Sequence, residues 1–171
     1  MHLLGALFAL TFPLLMVAAA LSDITTMTIP NRLTGALALA FAPAALLCGL
    51  PLPMVLEGVG VGAAALLLGA LMFALKWIGG GDAKLLAGAG LWLGLAGAPT
   101  FLTWTAMAGG LFGLGLIMAR SWAQPYAGFA PRWVARLLEP RGDIPYGVAI
   151  AVGGLAAFPQ SLLVQKFLGV I

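Results

Sequence analysis

Ionisable chemistry is what this chain has least of. Asp, Glu, Lys and Arg together make up 8% of its 171 residues, against 63% hydrophobic residues and a mean hydropathy of +1.11. Cys48 is the single cysteine, which excludes an intrachain disulfide and a CxxC metal site; in an apolar run it reads as a buried structural thiol. His2 is the single histidine and stands at the N-terminus. That removes a Ser–His or Cys–His nucleophile pair and the HExxH and multi-histidine zinc sites. No GxxxxGK[ST] or GxGxxG element follows a strand, so nucleotide binding has no support. A soluble domain carries roughly a quarter charged residues; this composition is that of an integral membrane protein. The net charge of +3 reads as membrane topology and contact with anionic lipid, and gives no reason to expect nucleic acid.

What is present in abundance is oil. Apolar runs lie at Leu3–Leu21, Leu33–Leu50, Met54–Leu75, Ala83–Ala98, Thr100–Met118 and Tyr146–Val164. A membrane span takes about 20 such residues, with a range of roughly 17–25, so the pattern predicts an all-α, polytopic protein of about six transmembrane helices in a single domain, residues 1–171. The fourth run is short and glycine-rich and fits either a tilted span or a re-entrant segment. The first ends in VAAALSD, which resembles a leader cleavage site, yet its start has no Lys or Arg and its apolar stretch is long; it reads as a retained helix. Arg32, Lys76, Lys84, Arg120, Arg132, Arg136 and Arg141 cluster in or beside the loops after the first, third and fifth helices, and Lys166 stands alone on the other side. The positive-inside rule then places those three loops in the cytoplasm and both termini outside.

Elimination leaves five carboxylates: Asp23, Glu57, Asp82, Glu139 and Asp143. Asp23 closes the first helix in LSDITTMTIPNRLT, with Pro30 and Asn31 marking the turn and Thr34 a candidate cap. Asp82 follows three glycines in WIGGGDAKLLAG, between the third and fourth helices. Two crossings separate these aspartates, so they share one face whichever way the chain is inserted. Two carboxylates sharing a site do not both ionise easily, and the pair holds one proton between them. The ionised member can then take a proton from an attacking water while the protonated member donates to a carbonyl oxygen, which is aspartic protease chemistry and needs no histidine, cysteine or metal. Gly79, Gly80 and Gly81 permit non-helical backbone and close approach of another chain, at a depth where irregular backbone survives only inside protein or beside a wet cavity.

The plain structural reading of Asp23 and Asp82 is a pair of solvated helix-end residues. Glu57 reads as the start of the third helix on the outer side, and Glu139 as an i, i+3 partner of Arg136. Asp143, just before IPYG, is a weaker candidate on the shared face. Lys84 reads as a snorkelling interface residue with a second, site-related reading beside Asp82. Pro131 starts a short amphipathic helix with Trp133, Val134, Leu137 and Leu138 on one side and Arg132, Arg136 and Glu139 on the other, suited to the inner leaflet. The pairs Gly58/Gly62, Gly90/Gly94 and Gly109/Gly113 fit helix packing.

Three motifs in order resemble one family. Gly79-Gly80-Gly81-Asp82 fits the GxGD signature of intramembrane aspartyl proteases, and GGGDAKLLAG fits its GxGDxK extension in the type IV prepilin peptidases. Asp23 followed by Ile29-Pro30-Asn31 resembles that family's D-x5-IPN element, and Ile144-Pro145-Tyr146-Gly147-Val148-Ala149-Ile150 its PYGxAI element. The resemblance implies that Asp23 and Asp82 are the catalytic pair and Gly79 and Gly81 structural glycines. It also implies supporting roles for Gly80, Lys84, Pro30, Asn31, Pro145, Tyr146 and Gly147, no cofactor and no metal in the site. The implied substrates are prepilins or pseudopilins, cut at the cytoplasmic face of a bacterial inner membrane after a short basic leader. Larger members carry a cytoplasmic insertion with paired CxxC motifs and also N-methylate the new terminus. This chain shows no such insertion, methylation is not expected of it, and its size resembles the short peptidases of Flp-type (Tad) pili. Its first loop, with Thr25, Thr26, Met27 and Thr28, has little basic character. The competing classes are a transporter or proton-relay subunit using the same carboxylates, and a scaffold without chemistry. A relay places acids at several depths, whereas the two motif aspartates lie at one face.

Overall fold

The computed structural model describes residues 2–123, 128–140 and 142–170; Arg141 and the His2 side chain, both used above, lie outside the described set. The described residues contain no strand. The helices are α1 (His2–Ala9), α2 (Thr11–Thr26), α3 (Asn31–Leu47), α4 (Leu52–Ala74), α5 (Gly80–Ala123), α6 (Arg132–Leu137), α7 (Tyr146–Ala157) and α8 (Leu162–Phe167), with a 3-10 turn at Phe158–Gln160. Four stretches are long and apolar enough to cross a membrane: Leu7–Thr26, Leu52–Ala74, Gly80–Ala123 and Tyr146–Phe167, with the shorter Asn31–Leu47 beside them.

The expected six follow once Asn31–Leu47 joins the four and α5 is counted as two. Forty-four helical residues would reach about 66 Å at ~1.5 Å each, twice a hydrocarbon core of about 30 Å. The helix breaks at Gly94, whose φ of 61° and ψ of −166° fall in a region essentially reserved for glycine. Before the break, a β-carbon on Gly69 would stand 2.9 Å from Ala83 Cα and one on Gly62 3.1 Å from the Ala87 carbonyl oxygen, so residues 80–93 run antiparallel to α4. After it, Gly153 of α7 lies on Phe101 and Thr105, Gly109 faces Ala149 and Gly113 faces Ile144, so residues 95–123 run back antiparallel to α7. The fourth apolar run is therefore a short first arm that turns over at the far end, and the fifth is the second arm returning.

Glu57 makes this reversal tenable. It is not in the first turn of α4, contrary to the helix-start reading. Its Oε1 accepts the Leu95 N–H at 2.8 Å, the donor set free by the break. An amide released by a break in a helix needs a new acceptor, and a carboxylate from the neighbouring helix supplies it.

The core is built on Trp92 of the first arm, which is fully buried. Its Nε1 donates to the Leu37 carbonyl at 2.8 Å, and its ring lies 5.5 Å from Phe12 of α2 and 5.7 Å from Phe41 of α3. Leu39, Leu46 and Leu67 turn outward, each more than 70% exposed, as side chains facing lipid do. The short helix expected after Pro131 is α6, with Pro131 as its N-cap and Leu137 and Leu138 buried. The expected Arg136–Glu139 pairing gives way to an Arg136 Nη1 bond to the Thr26 carbonyl at 3.3 Å.

Glu57→Ala orphans the Leu95 amide and is expected to lower stability by about 1–3 kcal/mol, whereas Glu57→Gln keeps an acceptor and stays close to wild type. Unfolding of the two variants in detergent micelles measures the difference.

Candidate active site

Asp23 sits in the last turn of α2. The helix ends because Met27 adopts a left-handed conformation (φ 56°) and returns its N–H to the Asp23 carbonyl at 2.8 Å. The chain then extends through Thr28, Ile29 and Pro30 into α3, where Pro30 serves as N-cap with φ −63°. Thr34 is not the cap; its hydroxyl donates to the Asn31 carbonyl at 3.2 Å. The Asp23 side chain is only 5% exposed. Its Oδ2 accepts the Gly147 N–H at 2.7 Å, a charge-assisted length. Gly147 lies in the first turn of α7 behind the buried Pro145, so the carboxylate meets the positive end of that helix.

Asp82 lies in the first turn of α5, where its Oδ2 accepts the Gly79 N–H at 3.0 Å. With Gly79 at the cap position, this is the returning half of a capping box. Asp82 is 7% exposed, and its Oδ1 is buried with no hydrogen-bond partner among the described residues. One carboxylate oxygen thus supports the helix and the other is held uncommitted.

Ile29 joins the two halves. A β-carbon on Gly81 would stand 2.9 Å from Ile29 Cβ and 3.1 Å from its carbonyl oxygen, and one on Gly147 would stand 2.7 Å from Ile29 Cδ1 and 2.8 Å from Asp23 Oδ2. The isoleucine therefore fills the gap between the Asp82 turn and the start of α7. Gly80, by contrast, would place its β-carbon no closer than 3.4 Å to Phe73, an ordinary contact, so it has no such constraint. Lys84 turns away from the cavity that holds the aspartates and its Nζ donates to Asn31 Oδ1 at 2.7 Å, tying the first turns of α5 and α3 together. Residue by residue reading missed Ile29 as the contact between motifs; the signal was its place in IPN, where attention fell on Pro30 and Asn31.

The two aspartates line one cavity of about 600 Å³, together with Asp143, Pro145, Tyr146, Gly79 and Lys76. Asp143 is exposed at its rim. Two buried acids lining one cavity with room for water and a peptide segment can activate and position a water against a polarised carbonyl.

The family model for the type IV leader peptidase family matches residues 10–114, a stretch that contains both aspartates. Two curated proteins called prepilin leader peptidase/N-methyltransferase, one from Aeromonas salmonicida strain A449 and one from Aeromonas salmonicida, are each 34% identical to the chain over 146 residues. The match covers 78% of this chain and 50% of theirs, so the chain spans about half the length of these relatives. No solved structure matches it significantly.

Gly81→Ala and Gly147→Ala are each expected to destabilise the fold by about 1–3 kcal/mol through overpacking, while Gly80→Ala is neutral or slightly stabilising because alanine is the better helix former. Ile29→Ala, combined with Gly81→Ala, is expected to cost less than the sum of the two single changes. Unfolding midpoints of the four single variants and the double variant in micelles test the whole set.

Proposed function

The chain belongs to the type IV leader peptidase family, and from that premise we propose that it is a membrane-embedded aspartic endopeptidase that removes the leader from prepilins or pseudopilins, with Asp23 and Asp82 as its dyad. The observation that carries the proposal is the shared cavity: two carboxylates from different helices, both buried, open onto the same space. In the reaction the ionised aspartate accepts a proton from water as its oxygen adds to the scissile carbonyl carbon. The protonated aspartate gives its proton to the carbonyl oxygen. Collapse of the tetrahedral diol re-forms the carbonyl, breaks the C–N bond and passes a proton to the leaving amine, so the dyad again holds one proton. Gly147 and Gly79 keep the two carboxylates placed by their backbone N–H groups.

The cytoplasmic face is the favoured site of cleavage. Lys76 lines the cavity, and Lys84, Arg120 and Arg136 bond near the aspartate end, to Asn31, Asp143 and Thr26 respectively, a concentration of cations that favours retention on the inner side of a bacterial inner membrane. A Flp-type substrate is the narrower reading, carried over from the resemblance of the three motifs. The proposal extends to leader cleavage alone.

Co-expression with a Flp-type prepilin tests it. Wild type is expected to shorten the substrate, and Asp23→Asn and Asp82→Asn, inserted to the same level, are each expected to lose about 10²–10⁴-fold in rate, as the removal of an acid–base group does. Cleavage at the normal rate by either variant removes that aspartate from the mechanism.

A further inference from the structure

Arg120 entered the sequence reading only as a topogenic cation, and the structure puts it to another use. It lies on the second arm of α5, and seven residues, two helical turns, separate it from Gly113, which faces Ile144. The same face of the arm runs from Phe101 and Thr105 past Gly109 and Gly113 along α7, so Arg120 stands at the end of that packed seam. Its Nε donates to the Leu137 carbonyl at 2.8 Å and its Nη2 to the Asp143 carbonyl at 2.8 Å. Leu137 ends α6, and Asp143 lies four residues before Gly147, whose N–H holds Asp23. Gly142 fits tightly against the same guanidinium, since a β-carbon there would stand 3.2 Å from Nη2. A second arginine continues the tie: Arg136 of α6 bonds the Thr26 carbonyl at the end of α2, three residues beyond Asp23.

We infer that Arg120 is a positioning residue for the aspartate pair: its guanidinium fixes the approach to α7 so that the Gly147 N–H meets Asp23. This rests on the peptidase reading only in so far as it names the activity affected; the clasp itself is a statement about Gly147. The residue type matters. A planar fork reaches two carbonyls at once, whereas a lysine ammonium on a flexible stem can satisfy one and leave the other. Arg120→Lys retains the charge and its topogenic role, so any loss it shows comes from the lost second bond.

The experiment uses the full chain in micelles, with Arg132→Lys as control, because Arg132 is an exposed arginine on α6. Hydrogen–deuterium exchange of the peptide carrying Gly147 is expected to rise at least about tenfold in Arg120→Lys and to stay at the wild-type level in Arg132→Lys. For cleavage of a Flp-type prepilin, kcat is expected to fall about 10- to 100-fold, the scale of a slightly misplaced catalytic group, with KM within about twofold. Unchanged exchange at Gly147 overturns the inference, as does a loss carried by KM with kcat intact. A wild type that cleaves no prepilin sinks the peptidase reading, and the exchange comparison then decides on its own whether Arg120 holds Gly147.

Discussion

The acidic end of this bundle depends on the space between Ile29 and two glycines. The isoleucine side chain and backbone occupy the positions that β-carbons at Gly81 and Gly147 would need. That close fit draws the turn carrying Asp82, the start of α7 and the segment following Asp23 onto one centre. It acts by steric complementarity, which in a membrane takes over much of the part that the hydrophobic effect plays between helices in water. Without the fit, the two acids would be separate helix-end residues, each able to reach solvent. With it, both are buried, each receives one backbone N–H, and one oxygen of Asp82 is left without a partner among the described residues.

A second constraint sits at the opposite end. The first arm of α5 must deliver Asp82 to the cavity and the second must return to support α7, so the helix has to reverse. Gly94 supplies the backbone geometry, and Glu57 pairs the amide that the reversal frees. At the cavity and at the reversal alike, a carboxylate accepts a backbone N–H at the start of a helical segment. The carboxylates differ in what remains afterwards: Glu57 spends an oxygen on structure, whereas Asp82 keeps one buried and without a hydrogen-bond partner among the described residues.

The helical class, the membrane setting and the turn at Pro30–Asn31 were legible because composition and run length report them directly. The number of apolar runs was also legible, and Gly80–Ala123 carries two of them because its reversal is confined to the backbone of Gly94. The meeting of Asp23 and Asp82 at one end followed from counting crossings. What could not be read was partner choice at long sequence separation. Nothing local in PMVLEGVG says that Glu57 bonds Leu95, and i, i+3 spacing suggested Glu139 for Arg136 when the carbonyl of Thr26, 110 positions earlier, was its partner. Lys84 was ambiguous for the same reason: its spacing from Asp82 was visible, but its direction toward Asn31 is set by the packing of α3 on α5. Gly80 was grouped with its neighbours by the motif, and only the surrounding volume separates it from Gly81.

In the folded chain Asp23 and Asp82 line one cavity, and the proposed dyad depends on that juxtaposition. Intramolecular cross-linking tests it most directly, with Asp23→Cys and Asp82→Cys introduced together in a Cys48→Ser background and treated in native membranes with a short bifunctional thiol reagent. Asn31→Cys with Lys84→Cys serves as the reference pair, because those side chains are in hydrogen-bond contact. The pair at positions 23 and 82 is expected to link within one chain as the reference pair does. A reference pair that links while the thiols at 23 and 82 only alkylate singly would contradict it.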